Sequence, residues 1–227
     1  MVTTVIFDLD DTLYPEREYC MSGFRAVAAY IAERFSQTAA ETLFEVMRAQ
    51  FNAGNRTRTF NAALEAAGIE YDGECIARLV EVYREHHPVL KLPDKSREAL
   101  DTLRRRYRLA LLTDGCMPGQ RLKVEALGIK TYFECIVYTE ELGRENWKPS
   151  PLGFQKIMYE LGASAGECAY VGDNEQKDFI APNALGMASI KVSGPDSLYT
   201  TASSDPAARP AHAISSLAEL TALLASL

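Results

Sequence analysis

A short apolar run near the N-terminus ends abruptly in three carboxylates. Residues 5–7 are strand-forming, and Asp8, Asp10 and Asp11 follow within four positions. Because side chains alternate along an extended chain, Asp8 and Asp10 are expected on the same side. Ionised carboxylates this close repel each other, so a cation or a proton is needed between them. Mg²⁺ suits such an oxygen cluster, while a solvated acidic turn is the simpler interpretation of this motif taken alone.

Three later segments carry polar side chains after an apolar run or ahead of a rigid turn. Their candidate functional residues are, in chain order, Thr113, Asp114, Lys148, Asp173 and Asp178. Together with the first segment they read FDLDDT, LLTDG, KPSP and GDNEQKD. Over roughly residues 4–192 the chain resembles the haloacid dehalogenase-like superfamily of phosphotransferases, whose four motifs occur in this order. The ordered set is far more specific than any single motif.

The resemblance assigns chemistry to the acidic residues. It implies that Asp8 is the nucleophile, forming an aspartyl-phosphate as carboxylates can. It implies that Asp10 first protonates the leaving alcohol and then activates water, while its backbone carbonyl binds Mg²⁺. Asp173 is expected to complete the metal shell beside Asp8, because Mg²⁺ prefers oxygen ligands. Asp178 is expected to bind a metal-bound water or Lys148.

The remaining motif residues suit phosphate binding. Thr113 can donate its hydroxyl to a phosphate oxygen, and the backbone amide of Asp114 can add a second donor. The superfamily often has asparagine at the position of Asp114, and an extra negative charge near a phosphate is unfavourable. Its side chain is therefore expected to point away or to be offset by Lys148. Lys148 itself is expected to pair with Asp8 and the phosphate.

The pattern of apolar residues predicts an α/β fold with two parts. Residues 1–14 and 91–227 are predicted to form a Rossmann-like, doubly wound parallel sheet, because helices and strands alternate there. The predicted helices are 94–106, 117–128, 150–161, 176–185 and 215–227, and the predicted strands are 108–113, 135–138, 168–172 and 188–192. Residues 15–90 show helical spacing without a convincing strand, which predicts an inserted helical cap. The proline-containing segment 194–212 is predicted to be a flexible loop.

The predicted cap offers few candidate substrate contacts. Arg56 and Arg58 lie in a glycine-containing loop, where guanidinium groups could bind an anionic substrate. Solvated loop arginines are the alternative. His86 and His87 suit a hinge, and Trp147, near the third motif, either packs on the core or lines the pocket.

Composition restricts the class of protein. The formal net charge of −7 argues against a general nucleic-acid binder. No apolar stretch approaches the roughly 20 residues of a membrane span, and the first strand begins too early to leave room for a signal peptide. Five scattered cysteines without metal-site spacing suit reduced thiols, and hence the cytoplasm. A monomer or homodimer is expected.

These observations predict a Mg²⁺-dependent phosphomonoester hydrolase that acts on a small phosphorylated metabolite. A sugar phosphate or a nucleoside monophosphate, as for a pyrimidine 5′-nucleotidase-like enzyme, would fit. A phosphomutase of the same superfamily is the main alternative. A dehalogenase is less suited, because it has no use for Asp10 or a magnesium shell. A regulatory member without turnover is a further alternative, against which the complete motif set argues.

Overall fold

The computed structural model describes residues 1–35, 38–194, 197–198 and 201–227. The chain divides into two compact units. The first comprises Met1–Glu16 and Lys91–Leu227, and the second comprises Arg17–Leu90.

A six-stranded parallel sheet forms the centre of the first unit. Its strands are β1 (Thr4–Phe7), β2 (Arg108–Thr113), β3 (Cys135–Tyr138), β4 (Cys168–Gly172), β5 (Ala188–Val192) and β6 (His212–Ile214). The spatial order is β3-β2-β1-β4-β5-β6, so the chain reverses its direction of progress between β1 and β4. Open parallel sheets bind ligands at such a switch point, outside the carboxyl ends of the strands. The predicted doubly wound α/β fold is confirmed.

The second unit is helical. Its helices are α1 (Glu16–Phe35, which starts at the last residue of the first unit), α2 (Ala40–Asn52), α3 (Thr59–Ala66) and α4 (Gly73–Glu85). Apolar side chains from α1 and α2, among them Phe24, Ile31, Leu43 and Met47, are almost fully buried. Their helical spacing explains why the sequence forms a bundle here.

Helices of the first unit connect and cover the strands. They are α5 (Asp94–Leu103), α6 (Gly119–Ala126), α7 (Leu152–Leu161), α8 (Ile180–Leu185) and α9 (Leu220–Leu224). Phe154 of α7 and Tyr170 of β4 meet edge to face, with ring centroids 4.9 Å apart. This aromatic contact lies in a buried apolar cluster of the first unit that also includes Ile6 of β1 and Leu112 of β2.

The C-terminal part differs from the predictions in two respects. The segment predicted as a loop is followed by a short strand, β6, which begins at His212 and pairs with β5. Within that segment, the carbonyls of Ala207 and Arg209 each accept a hydrogen bond of 2.8 Å from Asn183. Pro195 and its neighbour at 196, like residues 199–200, lie outside the described residues. The predicted helix 215–227 is instead a 3₁₀ turn at Leu217–Glu219 followed by the short α9.

The predicted helix 176–185 starts later than expected, as α8 at Ile180. Residues 174–178 form a tight turn, in which the carbonyl of Asn174 accepts hydrogen bonds from the backbone amides of Lys177 and Asp178. Within the described ranges, no helix combines the length and apolar character that crossing a membrane requires.

Candidate active site

Three predicted site residues stand at the carboxyl ends of neighbouring central strands. Asp8 directly follows β1, Thr113 ends β2, and Asp173 directly follows β4. The backbone amide of Asp8 donates to the carbonyl of Val171 at 2.9 Å, which extends the pairing of β1 with β4 by one step. The parallel register therefore brings together side chains that are more than 160 positions apart in the sequence.

Lys148 is the fully buried centre of the site. Its Nζ lies 2.8 Å from Asp8 Oδ1 and 2.9 Å from Asp178 Oδ1, and it donates to the Tyr170 hydroxyl at 2.9 Å. Burial alone would lower the pKa of the Lys148 ammonium, but the Asp178 and Asp8 carboxylates raise it well above its ordinary value. Lys148 is thus held as a cation between two carboxylates.

Asp8, Asp173 and Asp178 form a buried acidic cluster. One carboxylate oxygen from each lies within 4.8 Å of the others. Burial, followed by the charges of Asp8 and Asp178, raises the pKa of Asp173 to about 9. Burial also raises the pKa of Asp8 to about 6, although Lys148 opposes this effect. The raised pKa values mean that the three carboxyl groups do not all ionise together near neutral pH unless further positive charge enters the cluster.

One carboxylate oxygen of this cluster indicates whether the cluster suits a cation. The Oδ2 atom of Asp173 is buried and has no hydrogen-bond partner among the described residues. A buried carboxylate oxygen without a partner is costly, and a metal ion would satisfy it. The oxygen-only donor set matches the preference of Mg²⁺. The residues present therefore fit a divalent cation.

Asp178 also fixes the loop that carries Asp173. Its Oδ2 accepts hydrogen bonds from the backbone amides of Asp173 at 3.2 Å and Asn174 at 2.8 Å. A Cβ atom on Gly172 would lie 2.7 Å from this same oxygen. Gly172 is therefore required by the close approach of the Asp178 carboxylate.

Asp10 is held by a separate set of donors. Its Oδ1 accepts from the Tyr14 hydroxyl at 2.6 Å, its Oδ2 accepts from Gln120 Nε2 at 2.9 Å, and Lys123 Nζ reaches both oxygens at 2.8 and 2.9 Å. Burial would raise the pKa of Asp10, but Lys123 and the hydrogen bonds lower it below its ordinary value. The side chain of Asp10 is therefore an ionised carboxylate, distinct from the acidic cluster.

The negative charge of the Asp114 side chain is offset by its neighbours. Its Oδ1 accepts from Thr139 Oγ1 at 2.8 Å and from the backbone amide of Lys148 at 3.1 Å, and its Oδ2 lies 3.2 Å from Lys177 Nζ. The charge is therefore offset by Lys177 together with neutral donors, while Lys148 contributes its amide instead of making an ammonium contact. Asp114 anchors the segment that carries Lys148.

Thr113 is buried at the end of β2. Its Oγ1 accepts a hydrogen bond from Gln120 Nε2 at 2.6 Å. A hydroxyl has one donor in addition to its acceptor sites. Thr113 can therefore still donate to an oxygen of a bound ligand.

Several residues at the site were not identified from the sequence as acting there. They are Tyr14, Lys123, Tyr170 and Lys177, together with Glu16, whose pKa is raised to about 7 by burial and by the charge of Asp10. Gln120 also acts there, since its Nε2 lies 2.9 Å from Asp10 Oδ2. The three-residue spacing of Gln120 and Lys123 on a predicted helix is a usable sequence signal for this pair.

The predicted cap residues lie in the second unit. Arg56 lines a cavity of about 300 Å³ within the helical bundle, with its guanidinium 5.1 Å from the ring centroid of Phe51. Arg58 forms an exposed ion pair with Glu65 at 3.0 Å.

His86 and Trp147 each make polar contacts, whereas His87 is exposed. His86 contacts the carbonyl of Tyr83 at 2.6 Å and Ser22 Oγ at 3.1 Å. Trp147 donates to Glu140 at 2.8 Å from a half-buried position.

A parallel α/β sheet with an acidic cluster and a buried lysine at its carboxyl edge is the arrangement that the four motifs predict. The sequence model of the haloacid dehalogenase-like hydrolases matches residues 2–186. The chain therefore belongs to the haloacid dehalogenase-like hydrolase family, as the motifs indicated.

Named relatives narrow the class of enzyme. The chain is 29% identical to a glyceraldehyde 3-phosphate phosphatase of Methanopyrus kandleri, over 85% of this chain and 84% of the relative. It is 27% identical to a ribulose-1,5-bisphosphate 5-phosphatase of Halopiger xanaduensis, over 99% and 100% of the two chains. The crystal structure of a 2-haloacid dehalogenase from Pseudomonas syringae pv. Tomato DC3000 is similar with a TM-score of 0.67 and 26% identity, covering 100% of this chain and 99% of the other. The predicted enzyme class, a phosphoric monoester hydrolase, is confirmed by the phosphatase relatives.

Proposed function

We propose that this protein is a Mg²⁺-dependent phosphatase that hydrolyses a small phosphorylated metabolite through a phosphorylated Asp8. The observation that supports this most strongly is the contact of Lys148 with Asp8, beside an Asp173 oxygen that has no partner in the described part of the chain. Asp8, Asp173 and the backbone carbonyl of Asp10 would hold the cation. Bound there, Mg²⁺ would neutralise negative charge on the phosphoryl group and on the carboxylates.

In the first step, one Asp8 carboxylate oxygen attacks phosphorus and the bond to the leaving oxygen breaks. Lys148 keeps Asp8 ionised, and Thr113 donates to a phosphate oxygen together with the backbone amide of Asp114. Asp10 delivers a proton to the leaving oxygen, for which it must first take up a proton, since it is ionised in the free protein.

In the second step, water attacks the phosphorus of the aspartyl-phosphate, and Asp8 leaves as a carboxylate. Asp10 accepts the proton that the water loses. Inorganic phosphate departs and Asp8 is again a carboxylate. Asp10 now carries the proton from water, which it donates in the next cycle or releases to solvent to regain the ionised form of the free protein. The ionised form of Asp10 is therefore the form that the second step requires, whereas the first step requires the protonated form.

The helical unit is proposed to be the cap that selects the substrate. Support comes from Arg56, which places a cation and the Phe51 ring at one cavity. A cavity with both features suits an anionic metabolite with some apolar surface. The named relatives act on phosphorylated three-carbon and five-carbon compounds, and a compound of that size is proposed here.

Hydrolysis of 4-nitrophenyl phosphate tests the proposal. Turnover is expected with Mg²⁺, and none is expected in excess chelator or with Asp8→Asn, since the nearly isosteric amide is a poor nucleophile. Full turnover in chelator would overturn the metal assignment, and near-normal turnover by Asp8→Asn would overturn the covalent mechanism.

A dehalogenase is the second candidate, because a 2-haloacid dehalogenase has a similar structure. A hydrolytic dehalogenase needs neither the donors around Asp10 nor a metal. Release of chloride from 2-chloropropionate, measured in parallel with phosphate release from the aryl ester, separates the two activities.

A further inference from the structure

We propose that Lys123 and Gln120, on the first turns of α6, are positioning residues that aim the Asp10 carboxylate. This inference rests on the proposed function. The two residues are three positions apart, on the same face of the helix, and both are almost fully buried, with 3% exposure for Gln120 and 4% for Lys123. A lysine and a glutamine are seldom buried so completely unless they are paired.

Contacts of Lys123 explain its burial. Its ammonium lies 2.8 Å from one Asp10 oxygen and 2.9 Å from the other. Since it reaches both oxygens, Lys123 can release one of them to a substrate or a water and keep its contact with the other. The carboxylate then stays in place while one lone pair becomes free for proton transfer.

Gln120 links Asp10 to the strand that carries Thr113. Its Nε2 lies 2.9 Å from Asp10 Oδ2, 2.6 Å from Thr113 Oγ1 and 2.8 Å from the carbonyl of Asp114. One side chain therefore spans the proposed acid–base residue and the proposed phosphate-binding hydroxyl. A displacement of Gln120 would move both together.

Gly115 provides the space for this link. It has a φ of +145°, and a Cβ atom there would lie 2.7 Å from Gln120 Cδ. The glycine of the second motif thus explains both the turn after β2 and the approach of Gln120.

A geometric role predicts a specific kinetic effect. Proton donation to the leaving oxygen matters more for a basic leaving group than for a weakly basic one. Phenyl phosphate and 4-nitrophenyl phosphate have similar sizes, but phenolate is the more basic leaving group. Loss of Lys123 should therefore reduce kcat/KM for phenyl phosphate by roughly tenfold to a hundredfold, because misplaced catalytic groups cost about that much. The reduction for 4-nitrophenyl phosphate should be several times smaller.

The second chemical step gives an independent readout. With Asp10 misplaced, attack of water on the aspartyl-phosphate slows, whereas release of 4-nitrophenolate stays fast. Lys123→Met should therefore show a rapid burst of about one 4-nitrophenolate per active site, followed by slow turnover.

The experiment compares wild type, Lys123→Met, Lys123→Arg and Arg121→Met in steady-state and rapid-mixing assays. Arg121 is the matched control, because it lies on the same helix but forms an ion pair with Glu141 and is 55% exposed. Lys123→Arg should restore most of the ratio between the two substrates, and Arg121→Met should leave it unchanged. If Lys123→Met does not fold, Gln120→Leu should show the same bias towards 4-nitrophenyl phosphate, added to a loss shared by both esters, since Gln120 contacts both Asp10 and Thr113.

Each other outcome has a defined meaning. Equal losses on both substrates without a burst, or no loss, would overturn the positioning role. A gain in rate would show that Lys123 restrains Asp10, and would overturn it as well. Absence of turnover by the wild type on both esters would instead reject the proposed function.

Discussion

Removal of the Lys148 ammonium should destabilise the protein strongly, in addition to abolishing activity. The Lys148 and Asp178 side chains have no measurable exposure, and that of Asp8 is 4% exposed. Lys148→Met keeps most of the side-chain volume but leaves two buried carboxylates without their cation. Breaking a buried ion pair on one side costs about 3–5 kcal/mol. For a chain of this size, each kcal/mol lowers the midpoint of thermal unfolding by about 2–4 °C, so a drop of about 6–20 °C is expected.

Circular dichroism of the chelator-treated protein measures this drop. Lys156→Met is the control, because Lys156 forms an ion pair with Glu160 in which both side chains are more than 40% exposed, and little change is expected. Adding Asp178→Asn to Lys148→Met should recover part of the loss, since it removes one of the two uncompensated charges. A drop in Tm of less than about 2 °C for Lys148→Met would contradict the reasoning, because the two carboxylates would then not depend on Lys148.

The remaining predictions concern pH, loop geometry and the helical unit. The folded-state pKa values of Asp173, about 9, and Asp8, about 6, are raised, so their contribution to stability is present below the unfolded value near 3.8 and is lost as pH rises towards the folded values. Because Mg²⁺ requires the ionised form, the rise in Tm on adding Mg²⁺ should increase between pH 6 and 9, and a rise independent of pH would contradict this. Gly172→Ala should lower kcat/KM at least about tenfold, because displacing Asp178 misplaces groups at the site, whereas Gly166→Ala, which has open space around it, should not. Arg56→Ala should raise KM for the preferred metabolite roughly tenfold to a hundredfold, because one charge-assisted hydrogen bond is lost, and should leave KM for 4-nitrophenyl phosphate unchanged. Arg58→Ala is tested in the same way. Equal losses on both substrates would indicate a general defect in folding or catalysis.

Much of the fold could be predicted because its signals are local. Strands β1 and β4 are largely apolar runs that are followed directly by an aspartate, and the apolar run of β2 ends in Thr113. The helices of the second unit repeat apolar residues at helical spacing. Strand β6 was missed because it has three residues, of which only Ile214 is buried. So short an edge strand is specified by its pairing with β5, which no local pattern reveals.

Parts of the site were harder to predict because they too depend on contacts between distant segments. Lys148 lies in a recognisable motif, whereas Lys123 resembles any lysine on a solvated helix until its burial beside Asp10 is known. Lys177 stands inside the fourth motif, but its partner Asp114 comes from a segment 63 positions earlier. Motifs identify the residues whose types are restricted by the chemistry. Residues that hold them in place depend on tertiary contacts.

The most direct test of the central claim is a crystal structure of the protein with Mg²⁺ and beryllium trifluoride, which mimics a phosphoryl group on a carboxylate. Beryllium bonded to an Asp8 oxygen is expected, with a fluorine near Lys148 and Thr113, and with Mg²⁺ bound by Asp8 and Asp173. Beryllium fluoride bound elsewhere, or a cation away from Asp173, would contradict the account of an aspartyl-phosphate formed at this site.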